Sequence, residues 1–378
     1  MTLVLNEEQL MLRDAAAGFL GDRATVAHLR ALRDRDDEVG YEPAVWREMA
    51  GMGWTGIAIG EQYGGLGYGY TGLGVVLEQA GRHLSPSPLQ AAVLVGATVI
   101  TELASGAQKE QWLPAIAAGE RIVTLALQER RHHAPLQTAM KATRVGDHYV
   151  LDGSKCLVLD AHVADAFIVV ARLDGHHADH HGLSAFLVEA GSEGLQIERR
   201  SVVDSRNAGA LILRDVQVPE ACCLGAPGEA WPGLERALDM INIGLAAELL
   251  GLATEAFERT VAYLQERKQF GRVIGSFQGL QHRAAVLFAE LELARSVVLD
   301  GLRAIDAGEE LPLRASAAKA KLCQVAELAT NEGIQLHGGI GMTDEYDIGF
   351  FIKRARVLQH LYGDSHYHLD RFAALSGF

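Results

Sequence analysis

The apolar residues of this chain change their period twice, and that double change limits what it can fold into more than any other feature. Up to about residue 121 they recur at helical spacing. From Ile122 to about Pro219 they come in short β-branched or alternating runs such as HYVLDG, DAFIVVARL and ALILRDVQV. From about Ala230 the helical period returns in long segments. A chain ordered in this way is expected to be an α+β protein of several domains. We read an N-terminal helical domain over residues 1–121, a β domain over 122–222 and a C-terminal helical bundle over 223–378.

Within this frame, local signals place the element ends. Asn6 followed by Glu7 and Glu8 predicts a capped helix carrying Leu10, Leu12, Ala16, Phe19 and Leu20. Further helices are expected near 71–83, 88–104 and 108–118, and Pro312 marks a helix entry after the polar DAGEE loop. Gly64-Gly65 reads as a turn, because neither a Walker nor a GxGxxG frame surrounds it. Tight turns are expected at Gly146-Asp147 and Asp152-Gly153. The run HHADHH, residues 176–181, has the residue types of a metal site. With no second cluster to complete a geometry, we read it as a surface loop between strands and assign no metal.

Composition narrows the function. Lys+Arg total 34 against 48 Asp+Glu, a net charge of −14, which argues against a nucleic-acid binder working through bulk charge. A local basic site for a phosphate group is compatible with that balance. The four cysteines, Cys156, Cys222, Cys223 and Cys323, match no zinc spacing and suggest a reducing cytoplasm. No basic stretch followed by an apolar one is read at the N-terminus, and no uncharged apolar run long enough for a bilayer, so the expectation is a cytoplasmic protein without a membrane partner.

The most informative stretch is RKQFGRVIGSFQGLQHRAA, from Arg267 to Ala285. It closes a long apolar-periodic run, breaks at Gly271 and resumes helical patterning at Phe277. Arg267, Gln269 and Phe270 sit at the turn. The turn is either an interhelical connection with a solvated arginine or a place offering guanidinium, amide and backbone N–H groups to a phosphate. RKQFG with Phe277-Gln278 and Gln281, followed by QLHGGIG at Gln335–Gly341, resembles the acyl-CoA dehydrogenase family. That resemblance covers essentially the whole chain. It implies a middle antiparallel β-barrel between two helical domains, assembly as a homo- or heterotetramer, and FAD-dependent α,β-dehydrogenation of an acyl-CoA thioester. It also implies an electron-transfer protein as acceptor. By resemblance, Arg267, Gln269, Phe270, Gln278, Gln335, Gly338 and Gly339 are cofactor-binding, contacting the pyrophosphate and adenosine half of a flavin held mainly by a neighbouring subunit.

The chain departs from the family where the chemistry happens. The family's acidic-proline-glycine-serine loop is here LALQERRHHAPLQTAM, which keeps Glu129 but has Arg130, Arg131, His132 and His133 in place of the usual residues. That basic loop either meets CoA phosphates or is a solvated turn. Leu157 and Leu159 stand where an aromatic and a hydroxyl residue normally face the flavin ring, and a leucine offers that ring no hydrogen bond. Tyr362 occupies the position of the catalytic glutamate, and an unperturbed tyrosine, with a pKa of about 10, is a poor base. The alternative glutamate position falls at Ile241.

The nearest carboxylates, Asp364 and Glu248, are the candidate catalytic residues, each with a structural alternative: a helix cap for Asp364 and a buried ion pair for Glu248. His360, His366 and His368 lie nearby without an assigned role. The whole pattern is expected of a subunit that shares an active site with a partner chain, as in steroid side-chain dehydrogenases resembling the family. Two alternatives remain open: a catalytically silent structural subunit, or a flavoenzyme with a non-CoA substrate.

Overall fold

The computed structural model describes residues 4–378. In chain order the elements are α1 (Glu7–Arg23), α2 (Val26–Asp34), α3 (Pro43–Gly51), α4 (Gly69–His83), α5 (Thr98–Leu103) and α6 (Gly106–Ala117). Then come β1 (Val123–Ala126), β2 (Lys141–Val145), β3 (His148–Leu159), β4 (Ala166–Arg172), β5 (Leu183–Glu189), β6 (Leu195–Ser201), β7 (Asn207–Pro219) and β8 (Cys223–Leu224). The chain finishes with α7 (Trp231–Glu266), β9 (Lys268–Gln269), β10 (Arg272–Val273), α8 (Gln278–Asp306), α9 (Pro312–His337), α10 (Ile348–His360) and α11 (Ser365–Leu375). Two compact units result, neither continuous in the chain. The helical unit combines the stretch up to Ala31 with Tyr70–Pro86 and Asn242–Phe378; the other combines Leu32–Gly69 with Ser87–Ile241.

In the helical unit, α1 opens on the expected cap. Asn6 Oδ1 accepts from the Gln9 N–H at 2.8 Å and Gln9 Oε1 accepts from the Asn6 N–H at 3.0 Å, a capping box. The carboxylate of Asp306 caps α4, accepting from Tyr70 N–H at 2.6 Å and Thr71 N–H at 2.9 Å. Helices α4 and α7 touch backbone to backbone. A Cβ placed on Gly81 would lie 2.1 Å from the Glu248 carbonyl, and one on Gly251 would lie 1.8 Å from that of Glu78. Only glycine permits that approach. Pro312 is the first residue of α9, as its sequence context predicts.

The second unit is built on an eight-stranded sheet in the order β6-β7-β3-β2-β4-β5-β8. It is the middle β domain that the resemblance implied, mostly antiparallel with two parallel contacts. β1 runs parallel to β4 on the edge that β2 continues, also parallel, and the path ends at β6 and β8 without closing. Alternating runs report which faces are buried, and pairing direction is decided by partners far away in the chain. Gly146-Asp147 makes the β2–β3 hairpin turn as expected. Asp152-Gly153 does not turn. It lies inside β3, where a register shift against β7 between Leu151 and Gly153 absorbs the glycine. The expected helix near 88–104 is a π-helical stretch, Leu89–Ala97, running into α5. The HHADHH segment is the exposed connection between β4 and β5.

One richly apolar window of α7, mean hydropathy 1.4, meets a bilayer-crossing criterion by length and composition, yet it is wholly buried. It is a core helix.

Candidate functional site

Helix α7 stops at Glu266 because the chain enters a two-stranded hairpin, β9–β10, whose turn is Phe270-Gly271. Both turn residues have positive φ, 53° and 76°. That is the type I′ pattern, which asparagine and glycine adopt easily and a bulky residue does not. Phe270 is nonetheless held there with 89% of its surface exposed. Its ring meets Phe277 edge-on, and the Arg272 guanidinium lies 4.1 Å from the Phe277 centroid. Arg267 and Gln269 are exposed beside it, and Gln278, also exposed, begins α8. Gln281 Nε2 donates to the Gly275 carbonyl at 2.9 Å and fixes the loop between hairpin and helix.

The second motif lies at the end of α9. Gln335, Gly338 and Gly339 are exposed, Gly338 has φ 66°, and a Cβ on either glycine would meet nothing within 4 Å. The two motifs are joined by rings. Tyr263, one turn before Arg267, packs at 4.4 Å on His337, and Tyr346 closes the cluster at 4.6 Å from His337 and 6.1 Å from Tyr263. His337 is pinned by contact of its Nδ1 with the Gly333 carbonyl at 2.6 Å. The result is an exposed set of the Arg267 guanidinium, three amides and open glycine backbone, chemistry that suits a pyrophosphate.

Tyr362 is arranged quite differently. The loop Leu361–Gly363 between α10 and α11 has all three carbonyls bound. Buried Lys319 donates to Leu361 at 2.5 Å and to Gly363 at 2.8 Å, while Asn242 Nδ2 and His368 Nε2 each reach the Tyr362 carbonyl at 3.2 Å. Tyr362 has φ 52° and is 3% exposed, and burial pushes its phenol well above the ordinary value, away from any role as a base. Neither Lys319 nor Asn242 stands out in the sequence except as a polar residue on the apolar face of a helical run. That signal was available in KAKLCQVA and INIGL.

The two carboxylate candidates have structural tasks. Asp364 is the N-cap of α11, accepting from the Tyr367 N–H at 3.0 Å. That bond first, with His360 and His366 nearby, holds its carboxyl below the ordinary 3.8. Glu248 Oε1 accepts from Arg354 Nη2 at 2.6 Å and Nε at 2.9 Å, and both side chains are buried. Asp364→Ala is expected to lower stability by about 1 kcal/mol in urea denaturation, and Asp364→Asn, another good cap, by far less. Because the folded pKa is depressed, the contribution of the carboxylate is complete above 3.8 and disappears as pH falls through the folded value. The wild-type advantage over alanine therefore narrows in acid. Loss of turnover in Asp364→Asn at unchanged stability would instead make Asp364 a base.

In the sheet unit, Glu129 works as a latch. Its carboxylate accepts from Ala139 N–H at 2.7 Å and Met140 N–H at 3.1 Å and pairs with Lys155 Nζ at 2.6 Å. Lys155 also donates to the Leu127 carbonyl at 3.2 Å, and burial pulls its pKa down to about 8 against the opposing pull of Glu129. Arg130, Arg131 and His132 are exposed on the loop this latch closes. Leu157 sits at φ 51° in a bulge of β3 and Leu159 is buried, so neither offers a flavin ring a hydrogen bond. The residues for the phosphate half of a flavin fit that group; those for its ring do not.

The chain matches the acyl-CoA dehydrogenase N-terminal domain over residues 6–120, the middle domain over 128–216 and the C-terminal domain over 231–375. It is 30% identical over 375 residues to the short/branched chain specific acyl-CoA dehydrogenase of Bos taurus, covering 97% of this chain and 85% of that one. Among solved structures it resembles butyryl-CoA dehydrogenase from Megasphaera elsdenii, with a TM-score of 0.91, 26% identity and complete coverage of both chains. It also resembles the Tcur3481–Tcur3483 steroid ACAD, with a TM-score of 0.88, 32% identity and coverage of 99% and 98%. The chain belongs to the acyl-CoA dehydrogenase family, FAD-dependent oxidoreductases acting on CH–CH bonds.

Proposed function

We propose that this chain is the flavin-supporting subunit of a heterotetrameric acyl-CoA dehydrogenase whose partner chain carries the catalytic base. The substrate is an acyl-CoA thioester, and FAD, when bound, accepts the hydride lost from the β-carbon. Arg267 neutralises pyrophosphate charge, Gln269, Gln278 and Gln335 donate amide hydrogen bonds, and Gly338-Gly339 let the backbone approach closely. Phe270 packs against the adenosine half. An electron-transfer protein reoxidises the flavin, and the four free cysteines fit work in a reducing cytoplasm.

One contrast carries this reading. The residues for a neighbour's flavin are all exposed, whereas the family's base position holds a buried tyrosine and both nearby carboxylates are bound elsewhere. The likeness to a steroid ACAD named as a pair of chains supports the same assembly.

The test is the FAD-to-chain ratio, read by absorbance after denaturation. The chain expressed alone is expected to carry almost no flavin, and co-expression with its partner to give one flavin per pair. A ratio near one with turnover from the chain alone would overturn the proposal and return Asp364 and Glu248 to candidacy.

A further inference from the structure

We propose that the helical unit holds a second small-molecule site, for a neutral and largely apolar alcohol or amide, in a cavity walled by α1, α4, α7 and α8. The cavity measures about 630 Å³, within the range of ligand pockets. None of the flavin-supporting residues lines it, nor do Tyr362 and Asp364, so it is separate from the chemistry described above.

Its wall is mostly aliphatic, with Val75 from α4, Leu250 from α7, and Val298 and Leu302 from α8. Three buried polar side chains interrupt it: Thr71, whose hydroxyl donates to Asp306 at 2.5 Å, Gln79, 4% exposed, and Thr254, 6% exposed. A threonine inside a helix ordinarily returns its hydroxyl to the carbonyl four residues back. Thr260 on the same helix does so to Ala256 at 2.6 Å, and Thr330 does so to Ala326 at 2.7 Å. Thr254 does not. Its hydroxyl is buried with no hydrogen-bond partner among the described residues. A polar group left in that state destabilises the fold unless something entering the cavity supplies the partner.

The charges around the cavity decide the character of that partner. Arg295 pairs with Glu78 at 2.8 Å, Arg82 with Glu258 and, at 3.0 Å, with Glu255, and Arg13, the third arginine of the lining, with Asp14 at 2.8 Å. With these guanidinium groups already neutralised, a buried carboxylate on a ligand would find no counter-charge, whereas a hydroxyl or amide would bond Thr254 and Gln79 as both donor and acceptor.

Decan-1-ol and decanoate distinguish the classes, titrated into the full chain by calorimetry with thermal unfolding in parallel. Neither readout needs flavin, partner or turnover, so this proposal stands or falls independently of the assembly proposed above. Decan-1-ol is expected to bind saturably, one per chain, and to raise the melting temperature, with decanoate at least about tenfold weaker. Thr254→Val keeps the side-chain shape and removes the hydroxyl. It is expected to weaken decan-1-ol about tenfold while leaving the ligand-free protein no less heat-stable. Gln79→Leu reads the same wall independently, with a loss in the same direction. No saturable binding, decanoate binding as tightly as the alcohol, or full affinity in both variants would overturn the proposal.

Discussion

Arg267→Gln is expected to strip FAD from the assembled enzyme while leaving this chain folded. Arg267 is exposed at the end of α7, and its backbone N–H already completes the helix by bonding the Tyr263 carbonyl at 2.9 Å. Removing the guanidinium therefore disturbs no packing. A charge-assisted hydrogen bond to phosphate contributes about 1.5–3 kcal/mol, so flavin affinity should fall roughly 10- to 100-fold. Arg267→Lys should recover part of the loss, because an ammonium supplies the charge without the bidentate fork. Flavin fluorescence during titration into the flavin-free complex measures the affinity, and circular dichroism of the chain reports its fold. Unchanged affinity in Arg267→Gln would reduce the hairpin to a solvated turn.

The second large effect concerns Glu248 and Arg354, whose side chains are 4% and 5% exposed. Taking either partner away breaks this buried ion pair, and such losses run to about 3–5 kcal/mol. Glu248→Gln and Arg354→Met should each unfold at clearly lower denaturant concentration than wild type. The double variant Glu248→Leu/Arg354→Leu should recover part of the loss, because neither charge of this pair remains. The chemistry provides the control. A structural Glu248 lowers stability and leaves the turnover per folded complex unchanged, whereas a catalytic base would abolish turnover at unchanged stability.

Much of the fold was legible before any coordinates because period is a local property. Helical and alternating spacings survive in any tertiary context that buries one face, which is why α1, α4, α6, α9 and the β2–β3 turn fall where their residues predict. The misreadings share a cause as well. Asp152-Gly153 has turn chemistry, but its neighbours pair with β7, more than fifty residues away, and that ladder carries the strand straight through. The parallel pairing of β1 with β4 was likewise not legible, because nothing within β1 announces its direction.

The same division applies to the site. Arg267, Gln269, Phe270, Gln335 and the two glycines are recognisable from sequence because their segments carry a motif and sit on the surface, where no distant partner redefines them. Tyr362, Asp364 and Glu248 are different. A tyrosine at the base position is visible in the sequence, and so is a carboxylate two residues on. Whether that carboxylate is a cap or a base depends on which N–H it meets, and whether Glu248 is free depends on Arg354, 106 positions away. The sequence alone determined the succession of helical, alternating and helical segments and the surface motifs at Arg267–Gln281 and Gln335–Gly341. Only the tertiary structure decided which ionisable groups are already occupied, because an ion pair or a cap is made by atoms that the fold, and not the chain, brings together.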